Sequence, residues 1–269
     1  MATSQLGGED FMIGLTSVTF RQLPYQDIID LARQARLNGI EWGSDIHVPE
    51  GNIPLAEEVA EQTAKAGLRV ISYGSYYRLG TYENAKKEFF KYLETASALK
   101  APVIRVWAGT AEPDAISEVE FLRLASEAQA IAHMAEERGI TVAFEYHRGT
   151  LTQDSRSALR LLRIADCANL KTYWQPNPDI SFEENKRDLQ EILPYLSNIH
   201  VFHWEGANVR YPLAEGAKKW REFISLSLDK RPSYIMEFVK DDSGEQFLRD
   251  AAALKEWLCV HLDDQGTNG

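Results

Sequence analysis

The chain has 269 residues, 44% hydrophobic and 26% charged, which is an ordinary globular composition with length for a large core. A formal net charge of −11 and a pI of about 5.1 argue against nucleic acid as a partner. No uninterrupted apolar run reaches membrane-spanning length, so no membrane partner is expected.

The amino terminus, MATSQLGGED, lacks the basic-then-apolar pattern of a signal peptide. The two cysteines, Cys167 and Cys259, have no metal-type spacing and suit reduced thiols. Both features lead us to expect a cytoplasmic protein.

In chain order, eight short apolar segments alternate with eight amphipathic ones. Strands are predicted over 11–19, 40–46, 69–75, 103–108, the stretch opening at 141, 170–175, 198–202 and 234–239. Helices are predicted from Pro24 and Gln26 to Leu37, then over 55–66, 83–100, 117–138, 155–165, 181–193, 217–227 and 245–258. Gly39, Gly67 and Gly139 supply stops, and Ser181 with Glu184 fits a capping box. Eight strand-then-helix units without a composition break predict an α/β protein, a single-domain (β/α)8 TIM barrel over 1–269. An open, doubly wound sheet fits less well, because the turn after the first strand, TSVTFRQLP, carries no phosphate-binding glycine motif.

The fifth strand, in TVAFEYHRGT, is the most informative. Val142, Phe144 and Tyr146 share one face, and Ala143, Glu145 and His147 the other. The second face grows from small to ionisable toward the carboxyl end, where a parallel barrel carries its chemistry. All strands end at that rim, so its other polar groups belong with it: Gln175 on strand six, His200 and then His203 on seven, Glu237 on eight. Strand two brings Glu41, Asp45 and His47, and strand four Arg105 and Trp107.

Glu145, Gln175, His200 and Glu237 thus give one ligand candidate from each of four consecutive strands. Two carboxylates, one imidazole and one amide suit one divalent ion, Mn2+ first, with Co2+, Mg2+ or Zn2+ as alternatives. Bland readings stand beside each residue. Glu237 could pair with Arg105 inside the barrel, His203 competes with His200, and Gln175 could be a surface amide. Glu41 could be a buried salt-bridge partner, while Asp45 and His47 could only cap a loop.

In IEWGSDIHVP (40–49), FEYHRGTLT (144–152), YLSNIHVFHW (195–204) and MEF (236–238) the chain resembles the sugar phosphate isomerase/epimerase family with the xylose isomerase-like barrel. The resemblance spans about 13–257. It implies one metal held by Glu, Asp, His and Glu from strands five to eight, here Glu145, Gln175 in place of Asp, His200 and Glu237. Counting from Tyr195 places His200 on the family histidine and His203 near a position often occupied by Asp. Pro178 stands where relatives often have His.

The resemblance also implies proton transfer next to a carbonyl, through an enediolate stabilised by the ion, with Glu145 and Glu237 as the acid/base pair. Glu41, His47, Arg105, Trp107, His147, Arg148 and His203 would bind substrate, and Phe20, Trp42, Trp107 and Trp204 would form apolar walls. The expected substrate is an unphosphorylated sugar or polyol-derived ketone, and a homodimer is expected from family habit. A dehydratase or lyase using the same ion, and a carbohydrate-binding barrel without turnover, are the alternatives.

Overall fold

The computed structural model describes residues 11–206 and 209–266. Its strands are β1 (Ile13–Thr16), β2 (Gly39–Gly43), β3 (Arg69–Arg78), β4 (Val103–Trp107), β5 (Thr141–Phe144), β6 (Leu170–Trp174), β7 (Leu196–Val201), β8 (Trp204–Glu205), β9 (Val209–Arg210) and β10 (Ser233–Met236). β1 to β7 and β10 pair in parallel into a closed eight-stranded barrel, with β10 between β7 and β1. β8 and β9 form a small antiparallel ribbon in the loop after β7.

Eight helices alternate with the barrel strands: α1 (Tyr25–Gln34), α2 (Ile53–Lys65), α3 (Ala85–Ala98), α4 (Glu118–Glu136), α5 (Ser155–Ala165), α6 (Phe182–Ile192), α7 (Ala217–Ser227) and α8 (Gly244–Gly266). This is the predicted TIM barrel. Among the described residues no helix is long and apolar enough to cross a membrane.

The strands are short apolar runs because both faces are covered. Outward residues such as Trp42, Val106, Phe144 and Trp174 join the main core under the helices. The barrel floor is a separate cluster of Ile71, Ala143, Tyr173 and Ile235. Two residues further along, the same inward faces carry Glu145, Gln175 and Glu237, each directly after the last residue of its strand. A dry floor therefore lies beneath a polar layer.

Four strand ends differ from the prediction by three residues; among them β10 stops at Met236 rather than at 239. β1 stops at Thr16, because Ser17–Phe20 winds into a 3-10 turn; the Ser17 hydroxyl accepts the Gly43 N–H at 2.9 Å, and Phe20 packs edge-on to Phe247. β2 stops at Gly43, whose carbonyl accepts the Val48 N–H as the chain turns back. β3 continues past Ser75 to Arg78, which pairs with Trp107 after a break in register from Gly74. That extension places Tyr76 and Arg78 above the barrel.

Candidate metal centre and substrate cavity

Glu145, His200 and Glu237 are buried, and each offers a ligand atom within 4.8 Å of the others. The Gln175 side-chain oxygen lies 3.0 Å from His200 Nδ1, so the fourth candidate joins them. Two ligands about 2.0–2.4 Å from one ion stand at most about 4–5 Å apart, and this spacing agrees. Two anionic oxygens, an imidazole nitrogen and an amide oxygen also form a reasonable donor set for a divalent ion. Two donors are fixed by neighbouring strands: the Glu145 N–H donates to the Val106 carbonyl and the Glu237 N–H to the Val201 carbonyl.

Beneath the cluster, Glu41 is fully buried. Its carboxylate accepts the Ser72 hydroxyl at 2.7 Å and the Tyr173 hydroxyl at 2.8 Å, and it faces His200 Nε2 at 3.2 Å. An N–H on Nε2 directed at Glu41 leaves Nδ1 facing Gln175 and Glu237, the arrangement in which a carboxylate orients a ligand histidine. Burial alone would raise the Glu41 carboxyl. The charges of Arg105 and His200, with hydrogen bonds from His200 and Ser72, outweigh it and hold Glu41 well below the usual carboxylate range.

Arg105 is 2% exposed and lies between two carboxylates. It donates to Glu145 Oε2, and its Nε is 3.5 Å from Glu41. The sequence left open a pairing of Arg105 with Glu237; the structure joins it to Glu145 and Glu41. Gly74 makes room for it, since a Cβ there would fall 2.8 Å from a guanidinium nitrogen. Burial raises the Glu237 carboxyl, the nearby His200 opposes that rise, and the charge of Glu145 adds to it. Burial pulls the His200 imidazole down, but Glu237 and Glu41 together carry it above its ordinary value.

A cavity of about 250 Å3 opens above this layer. Arg105, Glu145, Gln175 and Glu237 reach it from below, while Trp107, His147, Phe202, Trp204 and Phe238 form much of the wall. The Trp107 and His147 rings meet at 4.6 Å. Arg21, Tyr76 and Arg78 also line it, and sequence reasoning singled out none of them. Arg21 donates to Asp45 at 2.6 Å and to the Tyr76 hydroxyl at 2.7 Å. Phe238 adopts a φ of 47°, so the chain bends directly after Glu237, and its N–H donates to Thr19.

The remaining candidates sit elsewhere. His47 Nε2 is 3.0 Å from the Leu23 carbonyl and its ring packs edge-on to Trp42, away from the cavity. His203 packs against Tyr211 and Gly216 and lines a neighbouring cavity with Trp204, Glu205 and Lys219. Of the two histidines near the end of β7, His200 is the one that joins the cluster. Arg148 pairs with Asp179 beside Gln175. Phe20 and Trp42 are core residues, whereas Trp107 and Trp204 face the cavity.

A closed parallel barrel with a buried carboxylate–imidazole cluster at its carboxyl-end rim defines the class of protein: a (β/α)8 barrel with a candidate site for a divalent ion. The chain belongs to the xylose isomerase-like TIM barrel family, whose model matches residues 29–256. No curated protein is recognisably similar in sequence. Several solved structures share the fold. A probable 3-DHS dehydratase, AsbF, from Bacillus anthracis is 19% identical, with a TM-score of 0.77 over 90% of this chain and 98% of that one. An L-ribulose 3-epimerase is 11% identical, with a TM-score of 0.73 over 96% and 98%. A xylose isomerase-like barrel from Mycobacterium smegmatis, solved with magnesium, is 14% identical, with a TM-score of 0.72 over 92% and 96%.

Proposed function

We propose that this protein is a divalent-metal-dependent sugar isomerase or epimerase that moves a proton at the carbon next to a carbonyl. The observation that carries this reading is the convergence of Glu145, His200 and Glu237 within 4.8 Å, beneath a cavity walled by aromatic rings. An ion held by these residues and Gln175, with Mn2+ as the first choice, would polarise a substrate carbonyl and acidify the adjacent C–H.

The chain's own residues do the rest. Glu145 and Glu237 reach the cavity floor, so one carboxylate takes a proton from the substrate carbon and the other returns one. Return to the opposite face gives epimerisation, and return to the neighbouring carbon gives isomerisation. Arg105 holds the Glu145 carboxylate in place, and Glu41 sets the direction of the His200 ring. Trp107, His147 and Trp204 exclude water above the reacting carbons. His147 and Arg105 offer polar contacts to substrate hydroxyls, with Arg148 and His203 in the adjoining cavities. An L-ribulose 3-epimerase and a magnesium-bound barrel of the same fold accord with this reading.

The test is conversion of a panel of ketoses, aldoses and inososes by metal-analysed protein, with and without Mn2+, followed by chromatography. One ion per chain and an interconversion abolished by chelator support the proposal. Conversion that survives removal of metal contradicts it.

A further inference from the structure

The cavity, counted with the carboxylates that pair with its arginines, carries one more positive charge than those carboxylates use. With a divalent ion in place, the carboxylates of Glu41, Asp45, Glu145 and Glu237 are balanced by that ion together with Arg21 and Arg105. Arg21 is joined to Asp45, and Arg105 to Glu145 and Glu41. Arg78 is left over. It lines the same cavity, is half-buried, and has no carboxylate partner among the described residues.

Its position is built rather than incidental. The extension of β3 sets Arg78 opposite Trp107 on β4, and the guanidinium carbon stands 3.9 Å from the centre of the Trp107 ring. The next residue is tied down by its N–H, which donates to the Trp107 carbonyl at 3.1 Å. Gly80 then turns the chain with a φ of 78°, a conformation that costs glycine nothing. The attraction between cation and ring holds the head group without using any of its N–H donors. Those donors stay available, in the planar fork that matches a carboxylate.

We infer that Arg78 is a specificity residue for a substrate bearing a single negative charge, a hydroxylated keto acid whose carboxylate binds the guanidinium while its carbonyl lies over the cluster of Glu145, His200 and Glu237. This rests on the function proposed above, because the charge balance assumes the ion. A monoanion neutralises the surplus, whereas a phosphate dianion overshoots it. The inference narrows the substrate expected from the sequence, an unphosphorylated sugar or polyol-derived ketone, to one that carries a carboxylate.

The test is calorimetric titration of the Mn2+-loaded protein with two matched series: D-fructose, D-fructuronate and D-fructose 6-phosphate, and D-tagatose, D-tagaturonate and D-tagatose 6-phosphate. Within each series only the group on carbon six changes. We expect a carboxylate to bind about tenfold or more tightly than its neutral ketose, the gain of one charge-assisted pair. In Arg78→Gln that gap closes, and in Arg78→Lys part of it returns. Equal binding across both series, no binding by either carboxylate, or a gap that persists in Arg78→Gln overturns the inference. Tighter binding of a phosphate overturns the single-charge assignment. A carboxylate preference lost in Arg78→Gln, without metal-dependent proton exchange, would support Arg78 and remove the isomerase reading. Exchange on neutral ketoses alone would do the reverse.

Discussion

Arg105 shows how a buried charge is kept in this barrel. It is taken from water almost completely, and its cost is met by Glu145, just past the adjacent β5, and by Glu41 on β2. Replacing it by leucine leaves two carboxylates buried without their cation. Removing one partner of a buried pair costs about 3–5 kcal/mol, so Arg105→Leu is expected to lower the urea midpoint by that equivalent with an unchanged slope. A loss below about 1 kcal/mol would show that the pairing is not maintained in solution. Residue types could be read from the sequence here, but partners could not. The pairing of Arg105 with Glu145 and Glu41, and the support of Glu41 by Ser72 and Tyr173, depend on contacts 31 to 132 positions apart. No local pattern records such separations.

At the scale of elements, helices fix the loops that carry the site. α6 begins with the capping box read from the sequence: the Ser181 hydroxyl accepts the Glu184 N–H, and the Glu184 carboxylate accepts the Ser181 N–H. On the same helix, the Asn185 amide clamps Asn177, accepting its N–H at 2.7 Å and donating to its carbonyl at 2.9 Å. Gln175 lies two residues before that clamp. Ser181→Ala is expected to cost about 1 kcal/mol in chemical denaturation, the usual value of a lost cap. Asn185→Ala is expected to loosen Gln175, read as weaker Mn2+ binding by calorimetry with the other ligands intact; unchanged binding would assign the clamp to loop stability alone. The order of elements was legible because each strand is an apolar run and most helices carry a cap or stop signal. The length of β3 was not, because Tyr76, Tyr77 and Arg78 do not continue an apolar run; Arg78 pairs with Trp107 on the next strand and Tyr76 stacks on its ring.

For the whole molecule, the core contains tyrosines whose hydroxyls are costly to ionise. Burial first, with nearby carboxylates adding to it for most of them, raises Tyr73, Tyr77, Tyr146, Tyr173 and Tyr234 above their ordinary value. Each folded-state value exceeds that of the unfolded chain, about 10, so the stability they contribute is complete below pH 10 and is lost as pH rises above it. Each tyrosine then favours the unfolded state by on the order of 1.4 kcal/mol per pH unit. Five such groups predict cooperative alkaline unfolding within about one to two units above pH 10. Tyrosinate absorbance and far-ultraviolet circular dichroism should change together, and gradual ionisation of these tyrosines with the fold intact would contradict the prediction.

The fold was the legible part at this scale, and so was the meeting of Glu145, Gln175, His200 and Glu237 at one rim, since each comes from one of four consecutive strands. The lining of the cavity was not, because Arg21, Arg78 and Phe238 come from loops or a strand extension that only the closed barrel brings together.

The proton-transfer account is tested most directly by solvent-deuterium incorporation, followed by NMR. The protein would be incubated with the sugar and keto-acid panel in D2O with Mn2+, and the metal removed before spectra are recorded. The account predicts label at the carbon next to the carbonyl. Chelator should abolish it, and Glu145→Gln and Glu237→Gln should each reduce it by about 10²–10⁴-fold, the usual contribution of a positioned acid or base. Label that forms at the same rate in both variants or in the presence of chelator, or no label from any member of the panel with the metal bound, would contradict it.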